Sequence, residues 1–292
     1  MAILVDAAPE IIVQNARSRY AAGMIALMRE TGTRIVGGVA PGWGGGVMEG
    51  LPLFDTVAEA SAATGARASV IFTPPPGLGA AVEEAAVAGI RLAVAATEHA
   101  PLHDTIAAAA AARAAGMWLV GPNSLGILAP GHGMLGALPA GLAMSGPVGL
   151  ISRSGTLAIV TMQVLFAAGY GLSTAVSIGG DTVIGRRPAE YLRLFADDPQ
   201  TRAIVYVGEI GGTKEDELAV AMGGCDKPVV VMIVGHSAPE GRTLGHAGAL
   251  IGSDADRAAA KSARLAAAGA LACRSPAELV AALDRAIGRV GA

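Results

Sequence analysis

Short runs of Val, Ile and Leu recur along the chain at 34–39, 68–72, 91–97 and 117–120, and again at 148–152, 173–178, 203–207 and 228–234. Runs this short, continuous rather than alternating, predict strands buried on both faces. Between them lie Ala-rich segments of helical length, at 79–89, 103–115, 156–168, 188–197 and 254–268. The alternation predicts repeated βαβ units, and so an α/β fold of parallel sheets covered by helices on both faces. The rhythm breaks over Leu125–Gly146, where two Pro and six Gly surround short apolar stretches. We read 126–146 as a connection between a Rossmann-like domain, residues 1–125, and a flavodoxin-like domain, residues 147–292. Ligand groups in such folds are expected in the loops beyond the carboxyl ends of the strands.

Composition narrows the function classes. At 292 residues with 52% hydrophobic and 15% charged positions, the chain has ample material for large buried cores. No apolar run approaches the length of a membrane span, and the start Met1–Asp6 lacks the basic and apolar regions of a signal peptide, so a cytoplasmic location is expected. A net charge of -3, with only four Phe, four Tyr and two Trp, argues against a nucleic-acid partner. Cys225 and Cys273 stand without a disulfide framework or metal-ligand spacing and are assigned no chemistry.

The segment Gly245-His246-Ala247-Gly248-Ala249 sets a histidine among residues too small to crowd a phosphoryl group. Imidazole becomes a phosphoryl acceptor when a carboxylate holds one ring nitrogen and the other stays free and neutral. Glu209, in Gly208-Glu209-Ile210-Gly211-Gly212, is the expected partner, which makes His246 and Glu209 the candidate catalytic pair. The turn Ser152-Arg153-Ser154-Gly155-Thr156-Leu157 runs from a strand into a helix, and its unpaired amides and hydroxyls make Ser154, Gly155 and Thr156 a candidate anion site. Read alone, it is also an ordinary helix cap. His99, His103 and His132 are read as surface or capping residues, and His236, followed by Ser, Ala and Pro, is set aside.

These segments, together with Val36-Gly37-Gly38-Val39, Gly121-Pro122-Asn123 and Gly179-Gly180-Asp181, resemble the α subunits of succinyl-CoA synthetase, from Ile3 to about Leu283. The resemblance implies an NDP-forming acid–CoA ligase that works through a phosphohistidine. It matches His246 to the phosphorylated histidine, Glu209 to the carboxylate that orients it, and Ser154-Gly155-Thr156 to the helix start that holds phosphate. It further implies CoA on the first domain, a small carboxylic acid as substrate, and an ATP-grasp β subunit that binds ATP or GTP with Mg. No ATP-grasp segment is present in this sequence.

Departures from the family pattern concentrate in the first domain. The Gly-rich loop expected after the first strand reads Asn15-Ala16-Arg17-Ser18-Arg19-Tyr20-Ala21, with every glycine replaced. Asn15 tolerates a left-handed turn, whereas Ser18 would carry roughly 1–2 kcal/mol of strain if the loop required positive φ there. In Pro41-Gly42-Trp43-Gly44-Gly45, Trp43 stands where the family has Lys. Either Arg17 and Arg19 bind phosphate while Trp43 stacks on adenine, or the site has passed to another ligand or been lost. Thr73-Pro74, Thr97-Glu98 and Asn123 match the remaining CoA wall and also suit plain strand-end turns. Ala158-Ile159-Val160 is more apolar than in succinate enzymes, so the acid need not be succinate. A ligase that uses another nucleophile than CoA, and a non-catalytic relative, are the competing expectations.

Overall fold

Two strand orders define the architecture. The computed structural model describes residues 2–5, 10–239 and 245–288, so Met1 and Asp6 of the N-terminal stretch lie outside the described residues. The described chain separates into an N-terminal unit, residues 4–140 with 183–186, and a C-terminal unit, residues 1–3, 141–182 and 187–292.

In the N-terminal unit the parallel strands are β1 (Ile11–Gln14), β2 (Ile35–Val39), β4 (Leu51–Phe54), β5 (Ala68–Ile71), β6 (Leu92–Ala95) and β7 (Trp118–Val120), with β3 (Val47–Met48) antiparallel at the edge beside β4. Their order is β3-β4-β2-β1-β5-β6-β7. Without β3, the parallel strands run 3-2-1-4-5-6, the dinucleotide-binding order whose crevice opens between the first and fourth strands. Helices α1 (Arg19–Glu30), α2 (Val57–Thr64), α3 (Leu78–Val87) and α4 (Leu102–Ala114) connect them. One core layer is apolar and small-residue rich, with Ile12, Ile71, Val82 and Leu119 packed among alanines. Within the stretch read as a connection, β8 (Gly126–Ala129) and β9 (Gly133–Gly136) form an antiparallel hairpin that packs on α1. Thr33 ties it down, accepting from the Met134 amide and donating to the Met134 carbonyl.

The C-terminal unit contains β10 (Ser145–Ser152), β11 (Leu172–Ser177), β12 (Ala203–Glu209), β13 (Val229–Val234) and β14 (Leu271–Cys273), all paired in parallel in the order β11-β10-β12-β13-β14. Counted within this unit the order is 2-1-3-4-5, the flavodoxin-like arrangement, and it reverses between β10 and β12. Helices α5 (Gly155–Ala167), α6 (Pro188–Asp197), α7 (Lys214–Met222), α8 (Ala258–Ala267) and α9 (Pro276–Ile287) cover the sheet. Every residue of β11 and β12 is buried, including the polar Ser173, Thr174 and Ser177 of β11 and Glu209 at the end of β12. The reversal therefore delivers two loops side by side, Ser152–Ser154 after β10 and Glu209–Gly212 after β12.

Candidate functional site

At the end of β12 the strand's last residue, Glu209, is nearly enclosed, and its carboxylate faces His246. The imidazole Nδ1 lies 3.0 Å from one carboxylate oxygen and 3.1 Å from the other. A carboxylate only accepts, so Nδ1 carries the proton and donates it, and in the neutral ring Nε2 holds the free lone pair. The hydrogen bond to Glu209 raises the His246 pKa above its ordinary value; burial and Arg153 oppose this, while the charges of Glu209 and Asp181 add to it. On its other side the ring packs against Gly180, where a Cβ would fall 2.3 Å from the imidazole Cγ. The glycine is needed for this close approach.

The loop that carries Glu209 is held by two buried cations which the sequence reading passed over. Arg153 donates to the carbonyls of Glu209 and Gly211 at 3.1 and 3.2 Å, and Lys261 donates to the same two carbonyls at 3.2 and 2.5 Å. Both also bind the Glu215 carboxylate, at 3.1 and 2.5 Å, and the Tyr206 hydroxyl donates to Glu215 at 2.7 Å. Arg153, Tyr206, Glu215 and Lys261 are all at most 1% exposed. Burial pushes the Glu215 carboxyl up, but Arg153 and Lys261 outweigh it and hold the group below its usual range. An arginine next to the Ser-Gly-Thr turn and a lysine in an Ala-rich helix carry no such signal, because their partners are 46 to 62 residues away in sequence.

Ser154 is the N-cap of α5, extended at φ -100°, and its hydroxyl accepts from the Leu157 amide at 3.4 Å. It is nearly buried, while Gly155 is half-buried and Thr156 exposed at the first turn. The turn is thus a genuine helix cap, and its hydroxyls stand at the positive end of α5. Ala158 is wholly buried on the core side of α5, so of the apolar stretch Ala158-Ile159-Val160 it is Val160, 36% exposed, that faces solvent.

In the N-terminal unit Asn15 adopts the left-handed conformation, φ 56°, and its side chain donates to the Phe72 carbonyl at 2.9 Å. Ser18 has φ -66° and caps α1 by accepting from the Ala21 amide, so the strain considered for a positive φ does not arise. Ala21 is completely buried where α1 meets the sheet. Arg17 lies over the Trp43 ring, its Cζ 3.2 Å from the centroid, so the cation and the indole expected to act separately on phosphate and adenine are paired with each other. The backbone amides of Gly42, Trp43 and Gly44 all donate to the Asp55 carboxylate at 2.6–3.0 Å, and these bonds lower the Asp55 pKa. Arg19 opens α1 and is exposed, as is Pro41.

A cavity of about 360 Å³ opens beyond β5 and β6, lined by Tyr20, Phe72, Thr73, Pro75, Thr97 and Glu98. Pro74 leads the short turn beside it. The Thr97 hydroxyl is committed to the Thr73 carbonyl at 2.8 Å, whereas the buried Thr73 hydroxyl has no partner among the described residues. Asn123, at φ 54°, donates its amide to the Thr97 carbonyl at 2.9 Å. Tyr20 and Phe72 meet edge-on at one wall of this cavity, their ring centroids 5.3 Å apart. Of the other histidines, His99 lies 3.9 Å from Glu98, His132 faces the Pro130 carbonyl at 3.3 Å, and His103 and His236 are exposed. Among the described residues no helix is long and apolar enough to cross a membrane.

Known proteins resemble the chain along its length. Residues 8–99 match the CoA binding domain, and residues 145–285 match the succinyl-CoA ligase like flavodoxin domain. Subunit alpha 2 of the ADP-forming succinate–CoA ligase of Archaeoglobus fulgidus is 44% identical over 284 residues, 96% of this chain and 99% of that subunit. The malate–CoA ligase subunit alpha of Methylorubrum extorquens is 40% identical, over 89% of this chain and 90% of that one. The ATP citrate lyase of Methanothrix soehngenii, solved with citrate and coenzyme A, superposes with a TM-score of 0.87 over 98% of this chain at 22% identity, a likeness of fold. This chain spans about half of that longer one, 51%. With 44% identity across nearly its whole length, the chain belongs to the family of succinate–CoA ligase α subunits.

Proposed function

We propose that the chain is the α-type subunit of an NDP-forming acid–CoA ligase in which His246 carries the phosphoryl group between nucleotide and acid. The observation that carries this reading is the 3.0 Å contact of His246 Nδ1 with Glu209, which fixes the tautomer and leaves Nε2 as the nucleophile. Nε2 attacks the phosphorus, the bond to the departing oxygen breaks, and the Nδ1 proton stays in place. Glu209 stabilises the positive charge that develops on the ring. The amides and hydroxyls at the start of α5, from Ser154 to Thr156, meet the phosphoryl oxygens.

In the N-terminal unit, Arg17, Ser18, Arg19 and the cavity walls at Thr73 and Thr97 hold CoA. When bound, CoA supplies the thiol that accepts the acyl group. Arg17 is kept in one place by Trp43, which spares part of the ordering cost of a phosphate contact. Nucleotide and Mg belong to an ATP-grasp β subunit that docks with this chain. The acid is a small carboxylate, with succinate and malate, named for the relatives, as first candidates.

A reading in which another nucleophile replaces CoA draws on one observation. The amides of Gly42, Trp43 and Gly44 are already spent on Asp55, which removes that loop as a phosphate cradle.

The test is labelling with γ-phosphate-labelled nucleotide in the presence of Mg and the β subunit. The reading expects acid-labile, base-stable phosphate on the chain, absent in His246→Ala. Full ligase turnover by His246→Ala would overturn it.

A further inference from the structure

A second cavity, of about 330 Å³, is bordered by Ala247 and Gly248 of the His246 loop and by Arg153, Arg187, Thr213 and Lys214. His246 does not line it. Three cations meet here, and their counter-charges are unequal. Arg187 is paired with Glu217 at 2.6 Å, and Arg153 shares Glu215 with Lys261. Lys214, only 4% exposed, has no carboxylate within ion-pair distance among the described residues, and its one hydrogen bond goes to the Asp181 carbonyl at 2.6 Å. An ammonium has three donors, so two find no partner among the described residues. The Nε of Arg153, fully buried, has no acceptor among the described residues either. Thr213 precedes α7, and its hydroxyl makes no cap bond but accepts from the Arg187 guanidinium at 3.4 Å.

Burying an unpaired cation is costly, and a protein that does so without relief loses stability for nothing. Burial, reinforced by the nearby Arg153 charge, drives the Lys214 pKa down to about 7. An anion in the cavity would remove that penalty. The volume exceeds one water's ~30 Å³ share by about tenfold, which leaves room for a small oxyanion with part of its hydration.

We propose that this cavity is a second oxyanion site, separate from the start of α5, which takes inorganic phosphate or the carboxylate of a small acid between Lys214 and the Arg153 and Arg187 guanidinium groups. It rests on the phosphohistidine reading only for which anions pass by. Its occupant faces the back of the loop that carries His246. There it neutralises Lys214 and adds to the hold that Arg153 has on the Gly248 carbonyl, at 3.5 Å.

Calorimetric titration of the full chain, without nucleotide, with inorganic phosphate and separately with succinate tests the proposal. One binding event is expected to weaken about tenfold or more in Lys214→Met and in Arg187→Met, to survive in Lys214→Arg, and to be unchanged in Ser154→Ala and His246→Ala. Binding of phosphate alone identifies a phosphate site, and binding of succinate alone a carboxylate site. If the wild-type chain binds neither anion, or both methionine variants bind as the wild type does, the proposal is overturned. Arg187 is half-exposed, so its variant carries the test should Lys214→Met fail to fold. Because no phosphoryl transfer is needed, a failure of the His246 mechanism leaves this result unaffected.

Discussion

The imidazole of His246 lies directly on Gly180, so close that one methyl group on the glycine would sit 2.3 Å from the ring's Cγ. Gly180→Ala must push the ring away or turn it off Glu209. Displacement of a reacting group by about 1 Å costs on the order of a hundredfold in rate. Phosphorylation of His246 by the assembled enzyme is expected to fall by about that factor, while the unfolding midpoint changes little. Single-turnover labelling measures the first quantity and urea titration the second.

The pH dependence of phosphorylation follows from the raised His246 pKa. Nε2 must be unprotonated to attack, so the rate rises with pH through that value. Glu209→Gln removes the carboxylate responsible for most of the rise. The rising limb is expected to move to lower pH, and the plateau to drop as the charged ring loses its stabiliser. A pH–rate profile of the variant that overlays the wild type would remove Glu209 from the mechanism.

Glu215 offers a stability test away from the reacting atoms. Replacing it with Gln keeps the shape but leaves Arg153 and Lys261 without their shared counter-charge, a change that costs about 3–5 kcal/mol for a buried pair. The pH sign is also defined. The folded-state pKa of Glu215 is lowered, so its contribution is fully present above the ordinary carboxylate range and is lost as pH falls through the folded value. Denaturant unfolding at neutral pH and at pH values stepped down below the ordinary carboxylate range should show the loss in the wild type and a flatter acid response in Glu215→Gln.

CoA titrated into the chain is expected to bind the N-terminal unit, and Arg17→Ala to weaken that binding about tenfold, the worth of one charge-assisted hydrogen bond. Trp43→Ala should act in the same direction but less, since it frees the Arg17 side chain without removing the charge. If CoA binds neither to the chain nor to its complex with the β subunit, another nucleophile takes its place.

How much of this was legible depended on where the information sits. Strands such as β12 and β13 announce themselves because most positions of a strand buried on both faces are apolar, as in Ala203–Val207 and Val229–Val234. The hairpin β8–β9 gives no such pattern. Its register brings Gly126 opposite Gly136, and at Gly126, φ 87°, a Cβ would collide with the Leu135 carbonyl, so glycines that look like a linker are there for a tight ladder. His246 and Glu209 could be paired in advance because the chemistry demands two residue types in small-residue loops. The Arg153–Glu215–Lys261 cluster could not, since each member sits in a segment that reads as ordinary strand end or amphipathic helix. Trp43 was legible as a departure, but its partner was not: only the folded backbone brings Arg17 over the indole.

Arg153 and Lys261 grip the chain at the carbonyls of residues 209 and 211, groups that every amino acid provides. The support of the loop is therefore independent of what the loop displays. A different side chain at 209 or 210 would inherit the same foothold, with its base set by β10 and α8 rather than by its own contacts. Such a division lets the displayed chemistry drift, one residue at a time, on a mount that stays put.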